Sequence, residues 1–137
     1  VEDDMNNAMV FQTLLKRLGN HETEITEDVD VIFQKCRSGD VDLVIMDVSL
    51  TNSAYDGRKV NGLEITKLLK NDEACRDIPV MLATAHAMHG DKERFLKESG
   101  ANGYLEKPIM DPNVFIEKVA SMLAEQPAGE VETDKQV

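Results

Sequence analysis

The five residues LVIMD, 43–47, set the reading of this chain. Leu43, Val44, Ile45 and Met46 form an unbroken apolar run, and the run stops at a carboxylate, Asp47. A strand with one solvated face would alternate apolar with polar. A run apolar throughout suits a strand covered on both faces, as in a parallel sheet. The pattern returns twice. VMLAT (Val80–Thr84) ends in a hydroxyl, and GYLE (Gly103–Glu106) leads into Lys107-Pro108.

Helical spacing fills the intervals. Phe11, Leu14, Leu15 and Leu18 share one helical face, stopped by Gly19-Asn20. Val29, Ile32, Phe33 and Cys36 repeat the spacing up to Ser38-Gly39. A third helix is predicted near Gly62 to Lys70, a fourth from Asp91 to Ser99 closed by Gly100, and a fifth from Pro112 to Ala124. The fifth turns Ile116, Val119, Ala120 and Leu123 inward. HETEIT (His21–Thr26) alternates and suits an edge strand. Met81, Met88, Met110 and Met122 are expected in the core or between helices. Strands alternating with helices predict an α/β fold with a doubly wound parallel sheet. Residues 1–125 read as one domain, and 126–137 as an acidic, disordered tail or linker stub.

Composition narrows the function. Against 15 lysines and arginines stand 26 acids, a net charge of −11, which opposes binding to nucleic acid or to an anionic membrane surface. No run approaches the roughly 20 apolar residues of a membrane span, and no signal peptide opens the chain. A cytoplasmic protein is expected. Cys36 and Cys75 lack metal or redox spacing and read as reduced thiols.

In doubly wound sheets ligands bind beyond the carboxyl ends of the strands. Those ends carry Glu2 and Asp3, Asp47, Thr84 and Lys107. Clustered carboxylates repel unless a cation joins them. A hard divalent ion such as Mg²⁺ resolves this with oxygen ligands and retained waters. An aspartate, a lysine and a hydroxyl around such an ion describe a phosphoryl-transfer site, with Asp47 as nucleophile.

The pieces VEDD (1–4), LVIMD (43–47), MLATA (81–85) and YLEKP (104–108), in this order and spacing, resemble the receiver domain of two-component response regulators. ATAHAMHGDKER (83–94) is similar to single-domain regulators of the DivK type. The resemblance implies a flavodoxin-like five-stranded sheet in the order 2-1-3-4-5, with most of the first strand missing, so that apolar residues are expected before Val1. It implies Asp47 as phosphoacceptor; Glu2, Asp3, Asp47 and the Ser49 carbonyl as the Mg²⁺ site, with Mn²⁺ as an alternative ion; Lys107 as the phosphoryl contact; and Thr84 and Tyr104 as switch residues. His86 would tune hydrolysis of the acyl phosphate. The Lys107-Pro108 peptide is expected cis.

The implied partners are a sensor histidine kinase or a histidine phosphotransfer protein, and a downstream protein at the face of the fourth helix, fifth strand and fifth helix. That face also serves pairing into homodimers. The implied activity is that of a signalling domain which assists its own phosphorylation and dephosphorylation, not of an enzyme. A free-standing phosphorelay intermediary is the expected setting, with a receiver cut from a larger chain as the alternative.

One departure stands beside Asp47. The family passes from its acceptor through a short proline turn to Asp-Gly. Here the matching pair is Asn61-Gly62, the proline is absent, and TNSAYDGRK (51–59) lengthens the loop 51–60. It reads as a surface insertion, a partner contact or a partial lid. Two other functions remain in view. A degenerate receiver would bind partners without phosphorylation. A haloacid-dehalogenase-like phosphohydrolase also uses a strand-end aspartate, and DVSLT (47–51) resembles its DxDxT motif, but Ser49 stands where the second aspartate is needed.

Overall fold

A computed structural model describes residues 1–85 and 91–124. His86, His89, Met88 and the tail 126–137 lie outside the described residues. The elements run α1 (Met5–Gly19), α2 (Val29–Arg37), β1 (Val44–Asp47), β2 (Ala54–Tyr55), β3 (Arg58–Lys59), α3 (Gly62–Lys70), β4 (Val80–Thr84), α4 (Asp91–Ser99), β5 (Gly103–Glu106) and α5 (Pro112–Ala124).

The helix ends follow local chemistry. Asp4 accepts the Asn6 and Asn7 amides at the start of α1, and Asp28 does the same for Asp30 and Val31 of α2. Asn61 and Glu64 form a reciprocal capping box on α3. Asn20 closes α1 in the left-handed region, φ 54°. Leu18 is exposed, because α1 ends before its last turn reaches the core.

The central sheet is parallel, in the order β1-β4-β5. Val44 faces Val80 and Asp47 faces Ala83; Met81 faces Gly103 and Thr84 faces Glu106. Alternate residues of each strand serve opposite faces. Met46, Leu82 and Tyr104 join Ile32, Phe33, Ile65, Leu69 and Phe95 in one core. Met81 and Ala83 join Phe11, Leu15, Phe115, Val119 and Met122 in the other. The sheet is therefore covered on both sides, as the unbroken apolar runs require. Of the methionines expected inside, Met81 and Met122 are buried, while Met110 is 87% exposed beyond the end of β5.

The five-stranded expectation is corrected on the other side of β1. Val1 lies along that strand: its N–H donates to the Ile45 carbonyl, and the Asp47 N–H donates to the Val1 carbonyl. Glu2 in turn donates to the Thr26 carbonyl at 3.3 Å. His21–Thr26 forms no strand, and the parallel sheet of the described residues holds three strands.

The insertion is a structured hairpin. Ala54 pairs with Lys59 and Tyr55 with Arg58 around Asp56 and Gly57, both at positive φ. Two successive left-handed residues make the turn whose twist matches a two-residue hairpin, and Asp-Gly supplies them readily.

Candidate functional site

Parallel pairing sets the carboxyl ends of β1, β4 and β5 along one rim. Asp47 closes β1 and Thr84 closes β4, both buried. The Lys107 amide donates to the Thr84 carbonyl at 2.8 Å, one step past the β5 ladder, which returns the Lys107 side chain to that rim. The peptide between Lys107 and Pro108 is cis.

The first three acids of the chain have separate positions. Asp4 caps α1. Glu2 is buried, and its Oε1 lies 3.1 Å from Lys107 Nζ. The same ammonium lies 3.1 Å from Asp47 Oδ1. Asp3 is partly open, and its Oδ2 accepts both the amide and the hydroxyl of Thr51, at 3.2 and 3.1 Å. One oxygen from each of Glu2, Asp3 and Asp47 falls within 4.8 Å of the others. The Ser49 amide donates to Asp47 Oδ1 at 3.2 Å, and the Ser49 side chain is exposed.

The electrostatics follow from three carboxylates around one ammonium. Burial, then the hydrogen bond shared with Asp47, pushes the Glu2 carboxyl above its ordinary 4.5. Burial works to lower the Lys107 ammonium, but its bonds to Glu2 and Asp47 outweigh this and raise it. Lys107 therefore stays charged at neutral pH beside the three carboxyl groups. Hard oxygen donors in excess, open on the Asp3 side, are the donor set for a small divalent cation.

Gly62 fixes the back of the site. A Cβ there would fall 1.9 Å from the Asp47 carbonyl oxygen, so the start of α3 packs directly on the acceptor's backbone. The Gly62 amide also donates to the Val48 carbonyl. Tyr104 sits inside the core beside β4. Burial raises its phenol, whose hydroxyl has no partner among the described residues.

Strand-end reasoning named Glu2, Asp3, Asp47, Thr84 and Lys107, and the resemblance added Ser49; the structure brings oxygens of Glu2, Asp3 and Asp47 together, bonds Lys107 to Glu2 and Asp47, bonds the Ser49 amide to Asp47 and sets Thr84 at the end of the neighbouring strand, while His86 lies outside the described residues. Two features were missed. One is the bridge from Lys107 to Glu2. The other is Thr51, whose only sequence signal was the absent proline.

A model of the response regulator receiver domain matches residues 1–120. The chain belongs to this family. Among curated relatives of this receiver, the polar-differentiation response regulator DivK of Brucella ovis is 39% identical over 125 residues, spanning 91% of this chain and 94% of that protein. Among solved structures, the receiver domain of sensor histidine kinase PA1611 from Pseudomonas aeruginosa superposes with a TM-score of 0.74 at 25% identity, covering 91% of this chain and 94% of that one; it holds a magnesium ion in its active-site cleft. A response regulator of Chloroflexus aurantiacus gives a TM-score of 0.76 at 24% identity over 91% of this chain and 94% of that one, which supports the fold. This receiver is thus a two-component signalling domain with the flavodoxin-like fold. Its likeness to phosphohydrolases over residues 47–51 fails at position 49, where serine stands in place of a carboxylate. No described helix is long and apolar enough to cross a membrane.

Proposed function

We propose that Asp47 accepts a phosphoryl group from the phosphohistidine of a sensor kinase or phosphotransfer protein. The observation that carries this reading is a buried strand-end carboxylate whose Oδ1 is held 3.1 Å from a buried ammonium, beside two further carboxylates. A carboxylate oxygen of Asp47 attacks phosphorus. The P–O bond forms as the P–N bond breaks, and the imidazole keeps the electron pair and takes a proton. Lys107 stabilises the charge on the transferring oxygens.

Glu2, Asp3, Asp47 and the Ser49 carbonyl would hold Mg²⁺, with Asp3 a direct ligand and Glu2 acting through water; Mn²⁺ fits the same oxygens. The ion, when bound, supplies positive charge against the three phosphoryl oxygens. Thr84 then turns toward the phosphoryl oxygens and Tyr104 follows, which changes the α4–β5–α5 face for a downstream protein or a second copy. His86 tunes hydrolysis. The domain spans 1–125 with a tail at 126–137, works in the cytoplasm, and assists its own phosphorylation without turning over a separate substrate. Its acidity, at net −11, argues against nucleic acid as the target.

Borohydride converts an aspartyl phosphate to homoserine. After treatment with acetyl phosphate and Mg²⁺, peptide mass spectrometry is expected to find homoserine at position 47. Homoserine at another acid would move the acceptor. No homoserine in folded protein would make this a degenerate receiver.

A further inference from the structure

The hairpin β2–β3 and the residues leading into it are anchored away from their tip. Leu50 and Val60 are buried at the two ends of the excursion. Ser53, also buried, donates its hydroxyl to the Glu27 carbonyl at 2.6 Å and accepts the Val60 amide on its own carbonyl at 3.0 Å. The Tyr55 ring packs against Phe33 of α2, with centroids 5.9 Å apart. Phe33 in turn carries the Arg37 guanidinium on its ring at 4.7 Å, and Arg37 is fixed by Asp72 at 2.6 Å. A segment tied down at both ends and at its strand is a poor lid and a good brace.

The brace has one contact with the site. Thr51 places two donors, its amide and its hydroxyl, on a single oxygen of Asp3. The other oxygen of Asp3 is left for a ligand. Donors that fix an outer oxygen decide where the inner one points, and such outer partners typically contribute 10- to 100-fold in metal affinity. A proline at position 51 has neither an N–H nor a hydroxyl and makes neither bond.

We infer that Thr51 is a positioning residue for the divalent cation: the hairpin holds it so that its amide and hydroxyl orient Asp3 for ligation. The inference rests on the metal reading given under Proposed function. It assigns the insertion a task inside its own chain, where the sequence left a lid or a partner contact open.

The test is Mg²⁺ affinity by calorimetric titration of the full chain, without any phosphodonor. The proteins are wild type, Thr51→Ser, Thr51→Val, Thr51→Pro and, as the ligand control, Asp3→Asn. Circular dichroism and thermal unfolding verify the fold of each. Thr51→Ser keeps both donors and is expected to bind as wild type does. Thr51→Val keeps only the amide and is expected to lose about 3-fold, Thr51→Pro about 10-fold or more. If Thr51→Pro unfolds, the serine–valine pair still decides the matter. Affinity unchanged in folded Thr51→Val and lost in Asp3→Asn would overturn the role of Thr51 and leave the metal site standing. Tighter binding in Thr51→Val would overturn it too, by making Thr51 a competitor for Asp3. No Mg²⁺ binding by the wild type at millimolar concentration would overturn both readings together.

Discussion

Asp47 is flanked by two regions built in different ways. On one side stand Thr84 and Lys107, delivered by the parallel ladder β1-β4-β5. On the other stand Glu2, Asp3 and Thr51, each placed by two or three hydrogen bonds and by no strand ladder. The ladder side is held by the pairing of β4 with both β1 and β5, and the sheet is covered by a core on each face. A receiver needs both. The phosphoryl group requires donors fixed in advance, and a cation that comes and goes requires ligands able to adjust.

The contrast gives a graded set of expectations. The largest effect belongs to the residue the two sides share: Asp47→Asn is expected to abolish phosphorylation by acetyl phosphate while leaving the fold intact by circular dichroism. Next comes the ladder side. Lys107→Ala removes the ammonium bonded to Asp47 and is expected to slow phosphorylation about 100- to 1000-fold at saturating Mg²⁺, read by intact mass against time. A normal rate would remove Lys107 from the chemistry.

Gly62→Ala attacks the same side from behind. Its new methyl would meet the Asp47 carbonyl at 1.9 Å, so strand or helix must move. Urea unfolding is expected to show a loss of about 1–3 kcal/mol, with slower phosphorylation. An unchanged midpoint would show that α3 does not set the acceptor's backbone.

The smallest effect tests the balance on the acidic side. The folded pKa of Glu2 is raised above 4.5, so the folded state binds more protons than the unfolded state in the window above that value. Stability without divalent ions should therefore fall as pH rises from about 4.5 toward neutrality. Glu2→Gln should flatten that slope, and Mg²⁺ should offset it in the wild type. Urea midpoints across the window, with and without Mg²⁺, read all three. A Glu2→Gln slope equal to wild type would place the pH dependence elsewhere.

The two sides were unequally legible in the sequence. The ladder side could be read because LVIM and VMLAT carry their burial in their composition, and GYLE leads directly into Lys107-Pro108. The acidic side was legible as a set of carboxylates, not as a geometry. Nothing local joins Asp3 to Thr51, 48 positions away, or Lys107 to Glu2. HETEIT shows the limit of alternation as a signal: it marks a segment fit to be a strand, but the partner decides whether the strand forms. The hairpin was readable in principle, since Asp56-Gly57 lies between two pairs of residues that can ladder. Its strands are two residues long and Arg58-Lys59 is charged, so no apolar alternation marks it.

The central claim is phosphorylation at the shared residue, and one measurement reaches it directly. Intact-protein mass is followed after incubation with acetyl phosphate, with and without Mg²⁺, for wild type and Asp47→Asn. A single added phosphoryl group in the wild type, dependent on Mg²⁺ and absent in Asp47→Asn, is the predicted result. No adduct in folded wild type, or an equal adduct in Asp47→Asn, would contradict it.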